Sequence, residues 1–177
     1  MNLHRITALL GAMACLLSQG CSTQRPPAPA PAPEITLDFG KLSVTPATGT
    51  GMQGVFKVVL DKKSGGPTPV QIGLLINEVQ NGERSCYIYQ NVVANETALV
   101  NDSGAGSVRL EGKSIGNNQC EVLQDGTSSS SDQSRVSVNL HIRFRPEFKG
   151  AKQLYVIALD DQNRGTGLEQ LGSWTVQ

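Results

Sequence analysis

The chain of 177 residues is short of most groups that do chemistry: two histidines, one tryptophan, 5% aromatics and 17% charged residues. Lysine plus arginine and aspartate plus glutamate stand at 15 each. That balance excludes a dedicated nucleic-acid binder, whose phosphate contacts require a basic excess. Long helical patterns are missing, while Gly, Ser, Thr, Val and Asn abound, a composition that favours short strands joined by turns over helical classes. The motif H-E-x-x-H does not occur. One hydrophobic stretch exists, Ile6 to Leu17, and it is too short for a permanent membrane span.

That stretch follows Arg5, the one charged residue of the first twenty, in the layout of a secretory signal peptide. It ends in Leu17-Ser18-Gln19-Gly20-Cys21, which resembles the lipobox of bacterial lipoproteins, with Leu17 one place early and Gln19 in a slot usually held by a small residue. Ser18-Gln19-Gly20 also fits ordinary signal peptidase. Cysteine arithmetic separates the two readings. Cys15 leaves with the leader, so Cys21, Cys86 and Cys120 remain, and an unmodified Cys21 would be an odd thiol in an oxidising compartment. Lipidation of Cys21 leaves one pair, Cys86 and Cys120, expected to form a disulfide. Such a resemblance implies cleavage after residue 20 and partnership with a membrane through lipid at Cys21. Ser22 after the Cys points to the outer membrane.

Residues 26–33 read Pro-Pro-Ala-Pro-Ala-Pro-Ala-Pro, five of the nine prolines. Each Pro lacks an N–H and drives its neighbour to extended geometry, so the run is neither helix nor sheet. It is expected to be a polyproline II rod about 25 Å long within the lipidated-Cys and spacer segment 21–34, an SH3-type ligand being the alternative.

From residue 35 to 177 the hydrophobic period is two. In Arg135 to Arg145, Val136, Val138, Leu140, Ile142 and Phe144 alternate with polar neighbours. Val70, Ile72, Leu74 and Ile76 form a second set, and Phe56, Val58 and Leu60 a third. Further strands are expected at 35–39, 86–92, 97–100, 107–111, 120–124, 153–159 and 172–176. Turn chemistry falls at Gly65-Gly66-Pro67, Asn81-Gly82, Asn101 to Gly104, Asp125-Gly126 and Asn163-Arg164-Gly165. Seven or more short antiparallel strands imply an all-β, two-sheet antiparallel sandwich of immunoglobulin-like type, with a barrel as the alternative.

Phe144, Phe148, Gly150 and Lys152, then Tyr155, Ala158 and Asp160, then Gly172, Trp174 and Val176 spell F-x-x-x-F-x-G-x-K, Y-x-x-A-x-D and G-x-W-x-V. With Cys86-Tyr87-Ile88-Tyr89, Leu99 to Asp102 and Asn118 to Cys120, this series resembles an immunoglobulin-like module of exported bacterial proteins over roughly residues 42–177. The resemblance implies a β-sandwich bridged by its two cysteines and carries no catalytic activity to transfer. Thr166-Gly167-Leu168 departs from the Ser-Gly-Trp that members often carry near the last loop.

Chemical motifs are few. Gly49-Thr50-Gly51-Met52-Gln53-Gly54 matches G-x-G-x-x-G but precedes a strand, where a dinucleotide fingerprint must follow one, so it reads as a turn. Asp161 to Gly165 alternates oxygen ligands as calcium loops do, yet its twelfth position is Gly172, not Glu, so a turn capped by Asp160 is expected. His141, the one histidine left after processing, has no second metal ligand or nucleophile motif near it and reads as a solvent-facing strand residue. No cofactor and no enzyme activity are expected. Two ligand-binding surfaces are weighed. Arg135, His141, Arg143 and Arg145 share one parity and would stripe a sheet face as an anion site, or else keep that face soluble. With Cys86 inward, Tyr87 and Tyr89 point outward together, as a sugar-stacking platform or as cross-strand packing. The expected role is a non-enzymatic envelope lipoprotein presenting an interaction module to an unidentified envelope protein or glycan. The alternative is a carbohydrate-binding module using the tyrosine pair.

Overall fold

A computed structural model describes residues 36–177. The leader, Cys21 and the spacer lie outside the described residues. Among these, twelve strands follow one another: β1 Gly40–Thr45, β2 Thr48–Thr50, β3 Gln53–Lys62, β4 Gln71–Asn77, β5 Cys86–Asn91 and β6 Glu96–Val100, then β7 Ser107–Arg109, β8 Ser114–Gly116, β9 Cys120–Ser131, β10 Arg135–Phe144, β11 Gly150–Leu159 and β12 Glu169–Val176. They form two sheets, β1-β3-β10-β9-β8 and β2-β12-β11-β4-β5-β6-β7. Every pairing is antiparallel except that of β2 with β12. The expected all-β two-sheet sandwich is therefore the architecture.

Period-two patterning explains how the sheets meet. On β10, Val136, Val138, Leu140, Ile142 and Phe144 are buried, and on β3 Phe56, Val58 and Leu60. They face Ile72, Leu74 and Ile76 of β4 and Leu154, Val156 and Ala158 of β11 in one core. Burying each large aliphatic or aromatic side chain there contributes about 1.5–3 kcal/mol. At one end of the core Trp174 packs edge-on to Phe56, with ring centroids 5.1 Å apart, and donates its indole N–H to the Gly51 carbonyl at 2.9 Å. The G-x-G-x-x-G run 49–54 thus spans the edge strand β2 and the entry to β3. Gly49 is required there by space: a Cβ would stand 2.1 Å from the Trp174 ring.

Cys86 of β5 and Cys120 of β9 are bonded, with Cα atoms 5.6 Å apart, so the expected disulfide ties one sheet to the other. The strand boundaries differ from the sequence reading in four places. Residues 36–39 are not strand, and the first strand begins at Gly40, where Asp38 accepts from the Gly40 N–H. Val70 precedes β4 and is half-buried, although its N–H and carbonyl continue the ladder to Leu159 and Val92. The short exposed strands β2, β7 and β8 carry little hydrophobic signal, and β2 and β8 escape it altogether.

The fourth difference is the largest: Asp125-Gly126 is a bulge inside β9, not a turn. Leu123 pairs with His141 and Ser128 with Asn139, so four residues of β9 lie opposite Leu140 alone. Gly126 takes φ +86°, which a side chain would resist. The Thr127 hydroxyl donates to the Leu123 carbonyl at 2.6 Å and accepts from the His141 N–H at 3.1 Å. Since the Asp125 carbonyl can only accept, His141 Nδ1 carries the proton that bonds it at 2.7 Å.

Candidate functional site

The structure gives each proposed surface residue a different employment from the one its parity suggested. Tyr87 and Tyr89 do project from the outer face of the seven-stranded sheet, opposite Cys86. They are not an open platform. Tyr87 is buried with Leu75, Val100 and Tyr155 in a second small cluster, against which Tyr89 and Leu168 pack. The two rings lie 4.5 Å apart at 41°, and the Tyr89 hydroxyl donates to the Tyr87 hydroxyl. Burial pushes both phenols above their ordinary value near 10, and for Tyr87 the bond to Tyr89 adds to it. The expected exposure is thereby corrected: Leu75, at a position facing away from the main core, completes a covered apolar patch.

The basic stripe likewise does not converge. Arg135 and Arg143 are about 26 Å apart along β10 by strand rise. Arg135 pairs with Asp61 on β3 at 2.7 Å, and Arg143 with Glu121 on β9 at 3.2 Å. Arg145 lies beyond the end of β10 and also sits in the field of Glu121. The Ser114 hydroxyl first, then these two guanidinium groups, hold the Glu121 carboxyl below its usual range. His141 is half-buried and engaged by the β9 bulge rather than free in solvent. The stripe is a row of cross-strand ion pairs, not an excess of positive charge.

Asp160 caps its turn as expected. Buried at the end of β11, its Oδ1 accepts from the N–H groups of Gln162 and Arg164, and its Oδ2 from the Arg164 guanidinium at 2.8 Å. Desolvation acts to raise its pKa, but these bonds together outweigh it and the carboxyl is held low. Among the described residues no three His, Cys, Asp or Glu side chains gather as metal ligands.

What the sequence did not indicate is a polar groove of about 370 Å³ at one end of the sandwich. Four separate segments wall it: the end of β4 and the β4–β5 loop, the β8–β9 turn, the single-turn 3₁₀ helix Pro146–Phe148, and the start of β11. Asn77 braces the β4–β5 loop by donating to the Asn81 carbonyl at 2.8 Å and accepting from the Glu78 N–H. Asn117 braces the β8–β9 turn. Its Nδ2 donates to the Ser85 and Val100 carbonyls, and its Oδ1 accepts from the N–H groups of Gln119 and Cys120. The disulfide at Cys86 and Cys120 fixes the same two segments covalently.

At the back of this groove sits Lys152, with only 4% of its side chain exposed. A buried ammonium requires compensation. Its Nζ donates to Glu78 at 2.6 Å and stands 4.5 Å from the centre of the Phe148 ring. The lysine's bond and charge hold the exposed Glu78 carboxyl below its usual range. Beside it, Gln119 is buried and its Oε1 makes no hydrogen bond, which no other buried side-chain N or O among the described residues shares. Arg84, also in the groove lining, occupies the left-handed region at φ +48°, a strained conformation for a residue with a side chain. Strain and an unpaired buried acceptor both cost stability, and both fall in this groove.

The residues behind the F-x-x-x-F-x-G-x-K pattern thus have physical employment. Phe144 and Phe148 stack with centroids 6.2 Å apart, and Phe148 in turn receives Lys152. The chain matches no protein-family model, no curated protein and no solved structure.

Proposed function

We propose that the chain is a lipid-anchored protein of the bacterial cell envelope, outer membrane in address, whose sandwich is a non-enzymatic binding module held off the bilayer by the proline spacer. The leader, Cys21 and the odd-cysteine arithmetic support the anchor. Multiple acylation of one cysteine is enough for stable attachment, and the mature chain, with 14 basic and 15 acidic residues, needs lipid to stay there. The observation that carries the binding role is the end groove, where strain and an unpaired buried amide are maintained at a cost between two braced, disulfide-linked segments.

An immunoglobulin-like module is supported by the strand order. β1-β3-β10-β9 opposite β2-β12-β11-β4-β5 follows the order A-B-E-D opposite A′-G-F-C-C′. Two details depart from antibody domains: the disulfide joins the fifth and ninth strands, and the buried Trp lies on the last. The non-enzymatic reading rests on how the candidate groups are used. His141 serves the bulge, Cys86 and Cys120 are bonded, and Asp160 caps a turn.

Both parts are testable in one bacterial expression host. An alkyne fatty acid is expected to label the wild-type chain and not Cys21→Ser. A photocrosslinking residue at Val79, on the groove rim, is expected to capture an envelope component that the same residue at Lys57, on the outer face of the five-stranded sheet, does not. An unlabelled wild-type chain would overturn the anchor. Identical capture from both positions would overturn the groove.

A further inference from the structure

We infer that the end groove binds a neutral saccharide, a reading that rests on the binding-module role proposed above and names its ligand class. Three observations point there. First, the wall of the groove holds unfilled hydrogen-bonding capacity of both signs. Gln119 is 92% buried in its wall, and its amide oxygen accepts nothing. Lys152 Nζ has three protons, of which one goes to Glu78 and the ring of Phe148 faces the ammonium, leaving a donor in hand. A sugar hydroxyl donates and accepts at one atom, and an acetamido group does both two bonds apart.

Second, the charges cancel. Glu78, Glu83 and Glu147 line the groove against Arg84, Lys149 and Lys152. None of Glu83, Arg84, Glu147 and Lys149 forms an ion pair within the described residues. Equal numbers of each sign leave the wall without net charge, and the charged groups not already paired can make charge-assisted bonds with hydroxyls. Third, the volume of about 370 Å³ lies at the small end of ligand sites, and the lining is polar or charged apart from Val79 and Phe148, unlike the apolar pockets that anchor a peptide's side chains. Val79, 61% exposed at the rim, offers one apolar surface of the size of a sugar's C–H face. The tyrosine pair, being covered, plays no part.

Gln119 is the informative position, because its backbone N–H and carbonyl, bonded to Asn117 Oδ1 and the Arg145 N–H, hold the turn whatever the side chain. Replacement by leucine removes the unpaired acceptor at similar volume. The test is calorimetric titration of the full-length lipidated chain in detergent with chitotriose, cellotriose, maltotriose and mannotriose, alongside a mixed decapeptide pool and inorganic phosphate. Binding of at least one trisaccharide is expected, with affinity reduced tenfold or more in Gln119→Leu and in Lys152→Met. The leucine variant serves if the methionine variant fails to fold. Absence of saccharide binding, saccharide binding unchanged in Gln119→Leu, or Gln119-dependent binding of the peptide pool or phosphate alone would overturn the inference. Capture of an envelope protein at Val79 with no saccharide bound would reject this ligand class while leaving the binding-module role standing.

Discussion

Single residues here are often fixed by what lies against them rather than by their own propensity. Gly49 lies in a stretch that spells the G-x-G-x-x-G of a dinucleotide fingerprint, but its lack of a side chain serves the Trp174 ring 2.1 Å from where a Cβ would be. Gly49→Ala is therefore expected to cost about 3 kcal/mol in urea unfolding, as overpacking against a core aromatic does. A loss within 0.5 kcal/mol would show that Trp174 is free to move aside. The tyrosine pair, Tyr87 buried and Tyr89 half-buried, sets the alkaline limit. Because folding raises both phenol pKa values, the neutral forms contribute stability that is complete below pH 10 and lost as pH climbs through the raised folded values. Absorbance at 295 nm is expected to show these two phenolates only as the chain unfolds. The acid limit has the opposite sign. Asp38, Glu78, Glu121, Asp132 and Asp160 are all held low in the fold, so their contribution is present above pH 4 to 5 and lost as pH falls through the folded values.

At the scale of elements, period-two alternation made β3, β10 and the inward side of β4 legible, because one face of each is core. What alternation could not convey was the second side of β4, where Leu75 is buried beneath the tyrosine cluster. Nor could it reveal β2 and β8, three residues each with no buried side chain. Asp125-Gly126 misled for a physical reason. A turn and a bulge both call for a residue at positive φ, and only the cross-strand register distinguishes them. That bulge depends on Thr127, whose hydroxyl bonds both strands. Thr127→Val keeps the shape and leaves the His141 N–H unpaired, so it is expected to cost about 1–3 kcal/mol and to speed amide exchange at His141 ahead of the rest of β10. Exchange at His141 no faster than at Val138 would contradict this role. Most of the groove was illegible: the F-x-x-x-F-x-G-x-K series carries Phe148 and Lys152, but nothing in the sequence joins them to Glu78, 74 residues from Lys152, or to Gln119.

Across the whole molecule the inter-sheet disulfide and the groove belong together. The bridge closes a loop with a sequence separation of 34, worth about 3–4 kcal/mol on the chain-entropy account, and it also pins the two loops that carry Glu78 and Gln119. Replacing both cysteines by alanine is expected to lower stability by about that amount. Binding at the groove is expected to weaken beyond the fraction unfolded, since the loops lose their common anchor. A stable domain with undiminished affinity would separate bridge from groove. The balance of 15 basic and 15 acidic residues reappears at this scale as a groove with three charges of each sign and as paired charges along β10. The central claim is that stability is given up in the groove for recognition. Gln119→Leu tests it most directly, with thermal unfolding and trisaccharide binding measured on the same full-length preparation. The account predicts an unchanged or raised midpoint together with a tenfold or greater loss of affinity. A lowered midpoint with affinity intact would contradict it.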